Sequence, residues 1–411
     1  MTQVNWNSIE DELYLTMLND GIIVEPVPEK LNEESRKLAT LRIIKSIEPI
    51  EGADFIEIAK VDGWQCIVKK GEFEVGHLAV YFEIDSFLPI EEKYEFLRKS
   101  SYKKTTDGTE GFRLRTMKMR KQLSQGLLLP VGLFLGMINR VMGIDPGIEG
   151  VVYNKADVVG EDVTSILNVT KWDPPIPANL GGKVEGRKPH FFPKTDEERI
   201  QNLPKILNTV PGSATDLQYE ATEKIDGTSL SFYRFNGEMG VCSRNYEISP
   251  EVDNAYTKAA KKYKLAAIVK DLALNSELSA DIAIQGELAG QGIQSNPLGL
   301  EEQELFLFNV YLIAEGRYCT PKERDAYFSF FAKSAEALGA PMMRRVPSLY
   351  GVLQRPVLMS MDEILQAVQI KSTINPKVWA EGVVFKCEDV VHNNVMSFKA
   401  ISNRYLLKHG D

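Results

Sequence analysis

Glu223-Lys224-Ile225-Asp226-Gly227-Thr228-Ser229 is the most informative segment of this 411-residue chain. On a β-strand, side chains two positions apart point to the same face, so Lys224 and Asp226 are predicted to enter one site together. Gly227 then permits a tight turn or the close approach of a ligand. The segment therefore predicts a strand that ends at a pocket holding an amine nucleophile and a carboxylate. By itself the pattern K-x-D-G is weak, because average residue usage produces it by chance in about one chain in ten of this length.

The lysine of this segment needs a particular environment if it is to act as a nucleophile. Its ordinary pKa is about 10.4, so the amine is mostly protonated at neutral pH. Attack on a phosphorus atom therefore requires desolvation or a neighbouring cation that lowers the pKa. A magnesium ion held through carboxylates supplies such a cation and also offsets the charge of a triphosphate.

A series of polar and aromatic residues follows this segment along the chain. It comprises Ser243-Arg244-Asn245, Gly286-Glu287 at the end of an apolar run, Phe306 and Phe308 alternating on a predicted strand, Glu381-Gly382-Val383-Val384 before Phe385 and Lys386, and Lys399 within SFKAI. Each residue has an ordinary structural explanation on its own, such as a surface charge, a turn or a core position. Their order along the chain is what favours a shared site.

The chain around this series divides by its pattern of apolar residues. From Leu38 onward, short alternating runs separated by turn residues predict a small closed β-barrel. Within it, residues 61–85 resemble the OB-type barrels of tRNA-binding modules, a fold that often binds nucleic acid but hosts many functions. Residues 171–189 are rich in Pro and Gly and predict an interdomain connector. Beyond them the pattern predicts helices at 195–208 and 253–270, and strands from Ser229 to Val241 and at DIAIQGEL, LFLFNVYLI, EGVVFKCED and VMSFKAI.

This series resembles the covalent nucleotidyltransferase superfamily of ligases and capping enzymes. With Phe192-Pro193-Lys194-Thr195-Asp196 upstream and the barrel in front, the chain resembles closely the ATP-dependent RNA ligase family in which an N-terminal OB domain precedes the transferase domain. The resemblance runs from about Leu38 to the C-terminus. It implies an α+β fold, with an N-terminal OB-type β-barrel followed by an α+β nucleotidyltransferase domain of ATP-grasp-like antiparallel sheets with helices. The implied divisions are an N-terminal extension at 1–36, the OB domain at 37–170, a linker at 171–190 and the nucleotidyltransferase domain at 191–411.

The resemblance also implies a role for each residue of the series. Lys224 is implied as the nucleophile that accepts AMP. The water shell of a catalytic Mg²⁺ or Mn²⁺ is implied to rest on three carboxylates, those of Asp226, Glu287 and Glu381. Contacts to ATP are implied for Glu223 and Lys194, for Arg244 at the ribose or a reacting phosphate, for Phe306 or Phe308 stacked on adenine, and for Lys399 at the α-phosphate. Fixed cations and a metal ion suit such a reaction, because its charge spreads over phosphate oxygens.

The last part of the series departs from the family pattern. Many relatives place a second lysine two positions after the first, and this chain has Ile401 there. Contact with phosphate is therefore expected to rest on Lys399, with help from Lys386 or Arg404.

A basic strip lies in the predicted barrel, although the whole chain has a net charge of −9. Residues 98–121 hold nine basic and two acidic residues, so a concentrated positive surface can bind phosphates on an otherwise acidic protein. The pattern places two pairs on strands, each pair facing one way: Arg113 with Arg115, and Lys118 with Arg120. The opposite parity of the pairs predicts a bulge or turn near Thr116. A solvated loop would also explain the lysines, but phosphate contacts are favoured because the strip precedes Ser124-Gln125-Gly126 in a manner similar to the family's OB domain. The sequence leaves open whether these phosphates belong to nucleic acid or are the β and γ phosphates of ATP.

The family resemblance implies an enzyme that joins a 3′-hydroxyl to a 5′-phosphate in RNA or an RNA-containing duplex, at a nick, through a lysyl-AMP and an adenylylated 5′ end. A DNA ligase or a capping-type guanylyltransferase shares the lysine chemistry, but capping enzymes carry their OB domain after the transferase domain. A non-catalytic RNA-binding protein is the remaining alternative, and the presence of Lys224, Asp226 and Glu287 disfavours it.

Composition sets the expected surroundings of the protein. The four cysteines are far apart without a C-x-x-C pair and the four histidines do not cluster, so the sequence predicts neither a zinc site nor a disulfide framework. The longest apolar runs are too short to span a bilayer, and the acidic N-terminus is not followed by an apolar core. We therefore expect a cytoplasmic protein with no membrane association.

Overall fold

The computed structural model describes residues 36–105, 107–141, 158–174, 184–207, 217–349, 352–391 and 394–410. Almost all of the predicted N-terminal extension and residues 175–183 of the predicted linker lie outside these ranges. The boundaries given for the linker therefore stay a prediction. Residues Lys37–Asp411 group into one unit, and the fold below is the fold of that unit.

The first half of this unit consists of short strands in four antiparallel sheets. The strands are β1 (Ala39–Ile43), β2 (Ser46–Pro49), β3 (Ile56–Val61), β4 (Trp64–Lys69), β5 (Leu78–Phe82), β6 (Ser86–Pro89), β7 (Tyr102–Lys104), β8 (Glu110–Arg113), β9 (Met117–Met119), β10 (Gln122–Ser124), β11 (Leu127–Pro130) and β12 (Thr170–Lys171). They pair in the orders β1-β5-β11, β2-β3-β4, β12-β6-β8-β7 and β9-β10. Two short helices, α1 (Arg98–Ser101) and α2 (Leu135–Val141), accompany them.

Alternation of apolar side chains explains how these strands pack. In β4, Trp64 and Cys66 are buried while the residues between and after them are partly exposed. The strand β5 is buried on both faces: Val80 packs into one apolar cluster and Tyr81 into another. Because β5 contributes to both clusters, the small sheets pack into one barrel-like body.

The second half contains two larger sheets and most of the helices. Its strands are β13 (Val184–Arg187), β14 (Glu198–Arg199), β15 (Tyr219–Lys224), β16 (Thr228–Phe235), β17 (Glu238–Cys242), β18 (Tyr246–Ile248), β19 (Ile282–Ala289), β20 (Glu304–Leu312), β21 (Arg317–Tyr318), β22 (Arg344–Arg345), β23 (Gly382–Cys387) and β24 (Ser397–Ile401). Its helices are α3 (Ala255–Lys262), α4 (Leu265–Asn275), α5 (Pro321–Ala337), α6 (Met361–Ala367) and α7 (Asn403–His409). One sheet has the order β13-β18-β17-β16-β19-β20-β21, with β22 beside β20, and the other has the order β14-β24-β23-β15.

Helices α3, α4 and α5 cover one face of the larger sheet. Ile268 of α4 and Phe331 of α5 share a buried apolar cluster with Ile284 of β19. Side chains that alternate with the core residues of the strands, including Ser229 and Glu287, lie on the opposite face. That face is where the two sheets meet around the site described below.

Two segments differ from the predicted secondary structure. The helix predicted at 195–208 is wrong, because the described residues there form the strand β14 and two 3₁₀ turns, Ile200–Asn202 and Pro204–Ile206. Proline lacks an N–H and disfavours the helical conformation of the residue before it, which explains part of this difference. The helix predicted at 253–270 is instead two helices, since Lys264 between them adopts a left-handed backbone with φ of 50°.

The C-terminal helix α7 contacts both halves of the unit. Leu406 of α7 packs with Ile401 of β24 and with Leu123 of β10. The Nζ atom of Lys118 in β9 donates to the carbonyl oxygen of Leu407 at 2.5 Å. The helix therefore joins the β9–β10 hairpin of the barrel to the smaller sheet of the second half.

None of the helices in the described ranges combines the length and the apolar character that a bilayer crossing demands.

Candidate active site

Strand pairing gathers the residues of the sequence series around one pocket. Lys224 ends β15 opposite Gly382 of β23, which places Glu381 beside the lysine. Glu287 lies on β19, which pairs with β16, and Lys399 lies on β24, which pairs with β23. The resulting pocket has a volume of about 310 Å³ and receives side chains from both sheets.

Gly227 allows the turn from β15 into β16 to lie close to β19. A Cβ atom at this position would collide with the carbonyl oxygen of Leu288 and lie 3.0 Å from Cγ of Glu287. The close approach that requires glycine here is therefore made to the chain's own backbone.

Lys224 is held in an ion pair. Its Nζ donates to Oε2 of Glu381 at 2.8 Å, and a quarter (25%) of the lysine side chain is exposed. Burial lowers the pKa of Lys224, but the carboxylates of Glu381 and Glu287 outweigh this effect and raise the pKa above its ordinary value. The amine is therefore protonated in this arrangement, and it needs another positive charge nearby before it can act as a nucleophile.

Two partly buried glutamates share the pocket with this lysine. Burial and the charges of Glu381 and Asp226 together raise the pKa of Glu287 to about 8, against the attraction of Lys224. Burial also raises the pKa of Glu381. Several carboxyl groups with raised pKa values beside one lysine in a cleft indicate a functional site.

Asp226 faces a different neighbour. Its Oδ2 accepts a hydrogen bond from the hydroxyl of Tyr405 on α7, whose ring stacks on His409 with the ring centroids 4.6 Å apart. Asp226 is not among the described residues that line the pocket, although its charge acts on Lys224. Tyr405 is not among the predicted site residues, and it lies 179 positions along the chain from its partner.

The three predicted metal-binding carboxylates, those of Asp226, Glu287 and Glu381, suit a divalent cation. They are oxygen donors, which Mg²⁺ and Mn²⁺ prefer, and their mutual repulsion contributes to the raised pKa of Glu287. In the described ranges, no three acidic, histidine or cysteine side chains converge closely enough to ligate one ion directly.

Positive side chains line another part of the pocket. Burial, together with the positive charges of Lys224 and Arg199, lowers the pKa of Lys399 to about 8. Arg244 also lines the pocket, and its guanidinium pairs with Asp196 at 2.8 Å. Arg199 is not among the predicted residues, because its parallel pairing with Lys399 falls in the segment that the sequence pattern assigned to a helix.

A β-bulge separates the two candidate phenylalanines. The pairing of β19 with β20 shifts register between Gln285 and Gly286, so Phe308 has no direct partner on β19. Phe308 lines the pocket, whereas Phe306 is fully buried in an apolar cluster with Ile225. Of the two, the structure brings Phe308 to the site.

Two buried polar pairs form the inner wall of the pocket. Arg324 donates two hydrogen bonds to Glu220, at 2.7 and 2.8 Å, and Lys386 donates one to Asn309. Glu220 carries a signal in the sequence, because it lies four residues before Lys224 on the same strand and so faces the same way. Asn309 and Arg324 carry no comparable signal.

The side chains of three other predicted residues do not clearly point into the pocket. Glu223 borders the pocket, but its carboxylate accepts from the backbone N–H of Thr373 at 2.8 Å. Lys194 is not among the described lining residues, and its carbonyl oxygen accepts from the hydroxyl of Tyr318 at 3.3 Å. Arg404 also lies outside this lining, so Lys386 is the one of the two predicted helpers of Lys399 that reaches the pocket.

The two predicted pairs of the basic strip lie on two strands and in the loop and turn next to them. Arg113 is the last residue of β8 and pairs with Asp85 at 2.7 Å. Arg115 lies in the loop before β9, so the prediction that it shares a strand face with Arg113 is wrong. The bulge or turn predicted near Thr116 falls in this loop. Lys118 is on β9 and Arg120 is in the following turn, with φ of 51°, so these two do not share a strand either. Arg115, Lys118 and Arg120 are all exposed.

Two family models match the chain. The model of an OB-fold domain matches residues 38–131, and the model named RNA ligase matches residues 217–401. No curated protein sequence matches the chain.

Solved structures of Naegleria gruberi RNA ligase are similar to the chain over nearly its whole length. A variant with AMP and Mn is 38% identical, with 91% of this chain and 99% of that chain covered and a TM-score of 0.70. A variant with ATP and Mn is 38% identical over the same shares, with a TM-score of 0.69. The ligase with PPi is 39% identical, with 91% and 99% covered and a TM-score of 0.68.

These likenesses confirm the predicted fold class, an OB-type barrel followed by an α+β domain with antiparallel sheets. The chain therefore belongs to the RNA ligase family in which an OB-fold domain precedes the ligase domain.

Proposed function

We propose that the chain uses ATP and a divalent cation, Mg²⁺ or Mn²⁺, to join RNA ends through an AMP bound covalently to Lys224. The observation that carries the proposal is the position of this lysine, whose Nζ lies 2.8 Å from Glu381 in a pocket also lined by Glu287, Lys399 and Phe308. The Naegleria ligase structures with AMP, ATP or PPi support it, because these are the nucleotides and the leaving group of such a reaction.

In the first step, the Lys224 ammonium loses one proton to solvent, and the neutral Nζ bonds to the α-phosphorus of ATP and releases a second proton to solvent. The bond from the α-phosphorus to the bridging oxygen breaks at the same time, and pyrophosphate leaves. The carboxylates of Asp226, Glu287 and Glu381 are the groups that would hold the divalent cation, which offsets phosphate charge and favours the neutral amine. Lys399 is proposed to bind the α-phosphate, with Arg199 beside it.

The adenine is proposed to stack on Phe308. Asn309 lines the same pocket, and its buried side-chain nitrogen has no hydrogen-bond partner among the described residues. Arg244 is proposed to contact the ribose or a reacting phosphate. Lys194 and Glu223 are proposed to keep the nucleotide contacts that the family implies.

In the later steps, an oxygen of a 5′-phosphate attacks the phosphorus of the AMP and frees Lys224. A 3′-hydroxyl then attacks the adenylylated 5′-phosphate, forms the new phosphodiester and releases AMP. We propose that the substrate is a nick in a duplex whose 3′-hydroxyl strand is RNA, since a protein can sense such an end through its 2′-hydroxyl or its A-like shape. The exposed Lys118 and Arg120 of the barrel are available for phosphate contacts.

A two-step assay with the full chain tests the proposal. Labelled ATP with Mg²⁺ or Mn²⁺ should give a labelled protein band on a denaturing gel, and EDTA should abolish it. A nicked duplex with an RNA 3′ end should then remove the label from the protein and become sealed. Equal labelling by GTP would overturn the choice of nucleotide, full labelling in EDTA would overturn the metal, and equal sealing of an all-DNA nick would remove the assignment to RNA.

A further inference from the structure

Two basic side chains pack against the indole ring of Trp379. The Nζ atom of Lys371 lies 4.1 Å from the ring centroid, and the guanidinium carbon of Arg404 lies 4.6 Å from it. Both basic residues are exposed while Trp379 is half-buried. A ring that holds two cations fixes their side chains in place, so less entropy is lost when they bind an anion.

No carboxylate within the described ranges lies within 4 Å of Lys371 or Arg404. The one hydrogen bond of the Lys371 ammonium in those ranges is made to the carbonyl oxygen of Lys377, at 3.4 Å. Two exposed arginines elsewhere in the second half are neutralised, since Arg344 pairs with Glu304 at 3.0 Å and Arg345 with Asp325 at 3.2 Å. The positive charges of Lys371 and Arg404 are therefore available to bind an anion from outside the chain.

The cluster is fixed to the segment that carries a catalytic carboxylate. Trp379 lies two residues before Glu381, whose carbonyl oxygen accepts from the N–H of Ser402 at 2.8 Å. The side-chain oxygen of Gln369 accepts from Oγ of Ser402 and from the N–H of Arg404, each at 3.0 Å. The cations and the carboxylate that pairs with the nucleophilic lysine thus share one hydrogen-bonded framework.

The same cluster is close to the basic hairpin of the barrel. Arg404 is on α7, and the carbonyl oxygen of Leu407 in that helix accepts from Lys118 of β9 at 2.5 Å. A helix of seven residues is about 10 Å long, so one nucleic-acid strand can contact both places. Lys408, which is exposed, adds a positive charge to the same helix.

We propose that Lys371 and Arg404, held on Trp379, form a binding site for backbone phosphates of RNA beside the active site, continuous with the β9–β10 hairpin. The inference rests on the proposed function, because it says where the strand to be joined lies. The β and γ phosphates of ATP have the same chemistry, but neither basic residue lines the pocket, which favours RNA over ATP as the source of the phosphates.

The test compares two double variants of the full chain. Lys371→Gln with Arg404→Gln removes the cluster's charges, and Lys270→Gln with Lys333→Gln removes the same charge from exposed positions on α4 and α5. Binding of a nicked duplex with an RNA 3′-hydroxyl strand is measured without ATP over a series of salt concentrations. Adduct formation from labelled ATP is measured separately, with its KM.

The cluster variant should bind the nicked duplex about 10-fold or more weakly at about 0.1 M salt. The slope of log affinity against log salt should fall by about two, because each phosphate contact contributes about 0.9. Its KM for ATP and its adduct yield should match those of the control variant. An unchanged salt slope, or a raised KM for ATP with unchanged RNA binding, would overturn the proposal. If the unsubstituted protein forms no adduct at all, the proposed function fails, while the binding measurement still decides the role of the cluster.

Discussion

Lys399 gives the first step a dependence on pH. Burial and the neighbouring positive charges lower its pKa to about 8, so the free enzyme has a charged amine below that pH and loses the charge above it. The kcat/KM for adduct formation reports on groups of the free enzyme, so the loss of this charge should lower kcat/KM above about pH 8 relative to a variant that keeps a cation at this position. Lys399→Arg, whose guanidinium stays protonated, should keep its kcat/KM to higher pH. A fall at the same pH in both proteins would exclude Lys399 as the source.

Glu287 titrates in the same pH range as Lys399. Its pKa is also raised to about 8, but it gains negative charge as the pH rises. A divalent cation favours the carboxylate and so moves the titration of Glu287 to lower pH. The measurement on Lys399 is therefore best made at saturating Mg²⁺ or Mn²⁺, where the two effects separate.

Tyr405 is expected to position Asp226. Tyr405→Phe keeps the ring that stacks on His409 but removes the hydroxyl that donates to the carboxylate. We expect the rate of adduct formation to fall by about 10- to 100-fold, as for other partners of metal-binding groups, and added Mn²⁺ to restore part of it. The control is Tyr327→Phe, whose hydroxyl donates to the carbonyl oxygen of Ser279. Equal rates in the two variants across the Mn²⁺ titration would contradict a positioning role.

At the scale of secondary-structure elements, the turn between β15 and β16 has no room for a side chain at Gly227. Gly227→Ala would drive a methyl group into the backbone of Leu288, and such overpacking costs about 1–3 kcal/mol of unfolding free energy. Gly132→Ala is the matched control, because a Cβ there meets no atom within 4 Å. Denaturant unfolding of both variants measures the difference. Equal stability would show that β19 can move away from the turn at little cost.

The sequence pattern predicts some elements well and others badly, for physical reasons. The strands from Ser229 to Val241 and within DIAIQGEL are present as β16, β17 and β19, because their side chains alternate between an apolar core and another surface. The bulge that separates Phe306 from Phe308 leaves no such pattern, because it depends on the register of β19 against β20. The segment at 195–208 has apolar residues at helical spacing, but its strand β14 pairs with β24 far along the chain.

For the whole molecule, the alternating apolar runs from Leu38 predicted the barrel, and this barrel together with the order of the residues in the series predicted the family. Contacts between distant parts were not predictable in the same way. Lys118 and Leu407 are 289 positions apart, and Asp226 and Tyr405 are 179 apart, so only the folded chain brings them together. These contacts link the barrel, the C-terminal helix and the site.

The exposed arginines of the barrel provide a test of its role. The guanidinium of Arg113 already pairs with Asp85, whereas Arg115 and Arg120 are exposed. The double variant Arg115→Gln with Arg120→Gln is therefore the more informative one. Sealing of a nicked duplex should weaken, and the loss should grow with salt, because fewer phosphates are contacted. Adduct formation should be unaffected.

The control for this pair removes the same charge from another exposed turn of the barrel, with Lys69→Gln and Lys70→Gln. A higher KM for ATP in the arginine variant, with normal sealing of a nick that already carries AMP, would assign the two arginines to the β and γ phosphates instead.

The central claim is that Lys224 carries the AMP. The most direct measurement is to incubate the full chain with ATP and Mn²⁺, digest it, and locate the added AMP by mass spectrometry, with Lys224→Ala treated in parallel. We expect AMP on the peptide that contains Lys224, at that residue, and no adduct in the variant. AMP on another residue, or an adduct of equal yield in Lys224→Ala, would contradict the account.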